Sequence, residues 1–168
     1  MISLVVRYIF YFTLYILIQV LILSNISFLG FINPYLYILF IITLPSTVTR
    51  DATLLIAFVM GLSVDIFTGT LGFNAFATVA VAYIKPFFQK AFGPREEHDF
   101  LIPSFQTYGV GMFLQYCVSL VFIHHLLFFI VESASLFRLE EVILKTICSV
   151  IFTMLIVISM QLFKTKRR

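Results

Sequence analysis

The chain has 168 residues, 61% of them hydrophobic and only 11% charged, with 11 Lys and Arg against 8 Asp and Glu. A mean hydropathy of +1.08 excludes a soluble globular domain and leaves no polar segment long enough to fold separately in water. The small net charge of +3 offers no basic face of the kind that binds nucleic acid.

A bilayer crossing takes about 20 apolar residues as a helix, so the length holds five or six spans and little else. The runs are continuously apolar, whereas a transmembrane barrel needs segments of roughly ten residues that alternate in polarity. The chain is therefore read as one integral membrane domain, residues 1–168, all-α with six transmembrane helices.

The first span is expected at 8–23. It follows Arg7, is too long for a signal-peptide core and lacks a small-x-small cleavage site, so it reads as uncleaved. It ends in Ser24-Asn25, with Gly30 and Asn33-Pro34 beyond. The second span, 35–44, is stopped by Pro45 and a polar turn at 46–51; it is short, and either irregular or begun earlier, near Phe28. The third, 52–67, carries Asp65 near its far end. The fourth, 73–88, leads into the most polar stretch, 89–99, with Lys90, Arg95, Glu96, Glu97, His98 and Asp99. The fifth, 101–131, is long enough to tilt or to include an interfacial turn. The sixth, 141–163, ends in Lys164, Lys166, Arg167 and Arg168.

Cytoplasmic ends hold the excess of Lys and Arg. With the N-terminus inside, Arg7, Arg50, Lys85, Lys90, Arg95, Lys164, Lys166, Arg167 and Arg168 lie on the cytoplasmic side, nine of the 11 basic residues. Only Arg138 and Lys145 fall outside. Both termini are thus expected in the cytoplasm, where the basic C-terminus would attract anionic lipid.

The stretch 57–84 is the expected organising element. It is apolar, yet carries a carboxylate among Gly61, Gly69 and Gly72. Gly61, Asp65 and Gly69 are spaced four apart, which stacks them on one helical face. Small residues there let another backbone approach and offer the carboxylate a donor. A break at Gly69-Thr70-Leu71-Gly72 makes this a helical hairpin with a polar tip. Counting from Asp51 at about 1.5 Å per residue puts Asp65 about 21 Å into a core of about 30 Å, in its outer third. Asp65 is read either as a relay or binding residue, or as a buried carboxylate that fixes packing through Thr68, Asn74 or a backbone partner. A single carboxylate without a second titrating group makes a poor relay.

His124 and His125 point to different helix faces and are read as an interfacial polar cap at the outer end of the fifth span. Gln19, Gln106, Gln115 and Gln161 are placed for hydrogen bonds between helices. Glu141 and Lys145 stand in the stabilising Glu-before-Lys order. Cys117 and Cys148 read as core residues without metal-type spacing. No phosphate-cradling loop, zinc-protease motif or nucleophile elbow is present, and no catalysis, cofactor or metal is expected.

The motif Gly61-Leu62-Ser63-Val64-Asp65-Ile66-Phe67-Thr68-Gly69-Thr70-Leu71-Gly72 resembles the G-L-x-x-D-x-x-x-G-x-x-G signature of the rod shape-determining MreD family. The proline-bearing second span, with Asn33-Pro34 and Pro45, and the basic C-terminus fit as well. The resemblance implies a bacterial inner-membrane subunit of the machinery for cell elongation and peptidoglycan synthesis. It would work with the periplasmic coiled-coil protein MreC, with RodA and a class B penicillin-binding protein, and with the actin-like MreB. Gly61, Asp65, Gly69, Gly72 and Asn74 would then serve packing or partner docking. The family is similar in fold to the substrate-binding membrane subunits of energy-coupling-factor transporters, which supplies the rival function, a small-solute-binding subunit. Those subunits carry Ala-x-x-x-Ala in their first span, whereas residues 8–23 contain no alanine.

Overall fold

The computed structural model of the protein describes residues 2–26, 33–94, 102–133 and 139–166. Gly30, Phe28, residues 95–99, Arg138, Arg167 and Arg168 lie outside the described residues. The elements are α1 (Ile2–Leu21), a 3-10 turn (Leu23–Asn25), α2 (Ile38–Ile42), α3 (Arg50–Thr68), α4 (Phe73–Phe92), α5 (Phe105–Tyr108), α6 (Val110–Ser133) and α7 (Leu139–Lys166), with no strand among the described residues. Among the described residues four helical stretches are long and apolar enough to cross a bilayer: 5–25, 50–68, 110–133 and 139–163. Helix α4 has 20 residues but carries Lys85, Pro86, Gln89 and Lys90 in its second half.

Local chemistry sets the ends. Asn25 turns its amide back on the orphan carbonyls of α1, donating to Val20 O at 2.9 Å and Leu21 O at 3.1 Å. Thr49 caps α3 by accepting from Ala52 N, and Asp51 stands in the first turn, where the helix dipole favours a carboxylate. Gly69 stops α3 in the left-handed region, φ 71°, so that Thr70 N reaches Asp65 O at 3.1 Å. The long fifth segment is divided by Gly109, φ 75°, between the capping box of Ser104 and Thr107 on α5 and the start of α6.

Helix α3 packs chiefly on α4, α4 on α6, and α6 on α7. The buried side of α6 comprises Phe113, Tyr116, Cys117, Leu120, Val121, His124, His125, Phe128 and Phe129. This is a continuous i, i+3, i+4, i+7 face. The same helix exposes Met112, Val118 and Phe122, apolar groups suited to lipid.

The most enclosed element is not the α3–α4 hairpin but the segment at 35–42, every residue of which is buried. Tyr37, Ile38, Ile41 and Ile42 have no exposure. The second span is expected at 35–44, short and either irregular or begun earlier; within the described residues the helix here has five residues, with a non-helical lead-in. It runs antiparallel to α1, for Gln19 bonds to its beginning while Phe40 meets the rings of Tyr8, Phe12 and Tyr15. Backbone that is not helical survives at membrane depth only if protein groups satisfy it. They do so at both ends. Gln19 Oε1 accepts from Leu36 N at 2.8 Å and its Nε2 donates to Pro34 O at 3.1 Å. From α7, Ser149 Oγ accepts from Asn33 N at 3.1 Å and Thr153 Oγ1 from Tyr35 N at 3.2 Å. At the far end Tyr116 donates to Ile42 O at 3.0 Å and Lys85 Nζ to Leu44 O at 2.9 Å.

Candidate functional site

The turn 69–72 brings the start of α4 beside the end of α3. The first N–H groups of a helix have no acceptor within it, and here the acceptor is Asp65, which is 2% exposed. Its Oδ1 accepts from Asn74 N at 3.1 Å, from Asn74 Nδ2 at 3.0 Å and from the Thr70 hydroxyl. Its Oδ2 accepts from Ala75 N at 2.8 Å. The carboxylate is thus an N-cap supplied by another helix, placed at the positive end of the α4 dipole.

That contact requires α3 to touch the first turn of α4, and Gly61 permits it. A Cβ at position 61 would lie 2.5 Å from Ala75 Cα and 2.7 Å from Asn74 O, so even alanine cannot be accommodated without separating the helices. Gly69 and Gly72 do different work. Neither faces a close neighbour; both hold positive φ, 71° and 90°. The common face expected for Gly61, Asp65 and Gly69 therefore divides into a packing residue, a cap and a turn residue.

Asn74 extends the tip into the core. A carboxylate only accepts, so the amide turns Nδ2 to Asp65 and Oδ1 to Tyr37, whose hydroxyl donates at 3.0 Å. A tyrosine hydroxyl has one hydrogen, so the 2.8 Å contact of Tyr37 with His124 Nε2 is donated by the imidazole. The chain therefore points one way, from His124 through Tyr37 and Asn74 to Asp65. Thr78 Oγ1 lies 3.0 Å from the Tyr37 hydroxyl and donates to Asn74 O. His124 Nδ1 is left as a buried atom without a hydrogen-bond partner. His125 is held separately, with Nδ1 donating to Val121 O at 2.8 Å and Nε2 accepting from Thr153 at 3.2 Å.

Both imidazoles are completely buried, which corrects the expected interfacial cap. Adjacent histidines do point to different faces, but α6 is covered on both by 35–37, α4 and α7. The glutamines do not converge: Gln19 and Gln161 are buried, Gln106 and Gln115 exposed. Among the described residues no group of three His, Cys, Asp or Glu is placed to hold a metal ion.

The opposite end of the hairpin holds a feature that sequence reasoning passed over. Lys85, counted as a cytoplasmic-side cation, is buried, 3% exposed, and donates to Leu44 O. It borders a cleft of about 280 Å³ formed by residues 45–50, Thr53, Ala82, Pro86 and Gln89. A lysine inside an apolar helix beside Pro86 was the available signal. No match to a family model, a curated protein or a solved structure is found for this chain.

Proposed function

We propose that this chain is a non-catalytic scaffold subunit of the bacterial cell-elongation machinery, of the MreD kind, in the inner membrane. The observation that carries the reading is the use made of the motif at 61–72. Gly61 admits the backbone of α4, Asp65 caps that helix, and Gly69 and Gly72 supply the positive φ of the turn. The glycines and the aspartate shared with the MreD signature each have a task in shape, which supports packing and partner docking over relay chemistry.

Six crossings with both termini cytoplasmic accommodate the contacts. Segment 33–44 starts beside the end of α1 and finishes beside Lys85 on α4, close to the start of α3. It thus serves as an irregular second crossing. In this arrangement the Asp65 tip lies in the outer half, towards an MreC-like periplasmic partner. RodA, a class B penicillin-binding protein and MreB complete the assembly, and the basic C-terminus meets anionic lipid.

Co-purification from membranes in mild detergent tests this. The expected result is recovery of an MreC-like protein with the native chain and with Asp65→Asn, and its loss with Gly61→Leu at equal membrane level. Full recovery with Gly61→Leu and none with Asp65→Asn overturns the packing role. A vitamin-like solute that saturably raised the melting temperature would instead establish the transporter-type reading, since a ligand at 100 times its Kd adds about 2.7 kcal/mol. For topology, single cysteines near Arg95 and Arg168 should be protected from outside labelling in intact cells and one near Ser135 modified. Outside labelling near Arg95 refutes the six-crossing map.

A further inference from the structure

We infer that the cleft at the open end of the α3–α4 hairpin is a binding site for a phosphate group, with Lys85 as its inner anchor. The inference stands on the geometry of the cleft and not on the elongation reading.

A buried cation needs compensation, by an anion or by acceptors for all its hydrogens. Lys85 Nζ has three N–H donors and donates to Leu44 O at 2.9 Å. No carboxylate among the described residues forms an ion pair with it. Asp51, the acidic residue in the first turn of α3, does not line the cleft. The remaining N–H groups therefore face a cavity rather than a counter-ion.

The rest of the lining suits an anion. Arg50 is exposed at the rim, its guanidinium 4.3 Å from the centre of the Tyr83 ring. Stacking of this kind uses the face of the guanidinium and leaves its edge donors for a phosphate. Ser46, Thr47, Thr49 and Gln89 line the same space, with Gln89 Nε2 donating to Ser46 Oγ and Thr49 Oγ1 capping α3. Helix α3, with 19 residues, begins at this wall and directs its positive end there. At about 280 Å³ the cleft lies at the lower edge of the roughly 300–1,000 Å³ of drug-sized ligand sites and is many times the roughly 30 Å³ of one water. It therefore takes a headgroup rather than a whole amphiphile. Phosphate monoesters and diesters share the required chemistry, and the source is either an anionic lipid or a free phosphate.

The full chain in a neutral detergent distinguishes these. Native mass spectrometry with dioleoylphosphatidylglycerol or with dioleoylglycerol, which lacks the phosphate, counts retained lipid. Thermal unfolding with inorganic phosphate, against chloride at equal ionic strength, reads the free anion. One retained phosphatidylglycerol, with no phosphate effect, assigns a lipid headgroup; a saturable rise with phosphate assigns the free ion. Lys85→Met should weaken whichever binds by about tenfold, as loss of a charge-assisted hydrogen bond does, and Lys85→Arg should restore part of it. Arg50→Gln lies at the exposed rim, spares folding, and should weaken binding severalfold, so it decides the matter if Lys85→Met does not fold. Equal retention of both lipids without a phosphate effect, or Arg50→Gln and Lys85→Met that bind like the native chain, overturns the site.

Discussion

The two ends of the α3–α4 hairpin carry one buried charge each, and they treat it in opposite ways. At the closed end, Asp65 receives four hydrogen bonds, every donor from Thr70, Asn74 or Ala75 in the turn and the first turn of α4. At the open end, Lys85 gives a hydrogen bond to Leu44 O and otherwise borders a cleft. The same pair of helices thus encloses one charge completely and leaves the other facing space. A charge whose partners all come from its own chain holds structure together. A charge with donors left over is available to something else.

Substitution can break this contrast, and the largest effect is expected at the closed end. Asp65→Ala strands two backbone amides, an amide side chain and a hydroxyl in a buried place. A loss of about 3–5 kcal/mol is expected, the range for removing one member of a buried charged network. Thermal unfolding in detergent, followed by a thiol-reactive dye on the buried Cys117, measures it. A loss below that of an ordinary surface change would mean that Asp65 does not cap α4.

Gly61→Ala tests the approach that makes the cap possible. Its Cβ would come within 2.5 Å of Ala75 Cα, and overpacking of this sort costs about 1–3 kcal/mol. The double substitution with Asp65→Ala should cost less than the two singles added, because both act through the same α3–α4 contact. Strict additivity would separate the glycine from the cap.

Lys85→Met should have the smallest effect on stability. It leaves Leu44 O without its donor but removes the burden of a buried cation, so the two largely offset, to within about 1 kcal/mol. The measurement is the same melting curve in lipid-free detergent. A loss as large as that of Asp65→Ala would show Lys85 to be as structural as Asp65, and would erase the difference between the ends.

The hairpin tip was legible because its signals are local. Gly61 and Asp65 share a face by helical spacing, the Gly69-Thr70-Leu71-Gly72 break announces a turn, and Asn74 lies within reach of the carboxylate. Local spacing still could not tell a packing glycine from a turn glycine, because that depends on which glycine meets α4. The histidines misled for a related reason. Position near the end of an apolar run suggested an interface, but burial depends on Tyr35, Tyr37, Thr78 and Thr153, which come from other elements.

Sequence alone determined the long helices and the break at 69–72: continuous apolar runs demand main-chain hydrogen bonding within each run, and glycine, proline and capping side chains end them. It did not determine which apolar face meets protein and which meets lipid, because both solvents select the same residues. Only tertiary structure decided that 35–42 is the most enclosed element, since main-chain groups of the stretch 33–44 around it are satisfied by Gln19, Ser149, Thr153, Tyr116 and Lys85 from four different helices. The placing of Lys85 was decided in the same way. A lysine one position before a proline could have faced water, and it is the return of 43–49 against α4 that buries its stem and leaves its ammonium at a cleft.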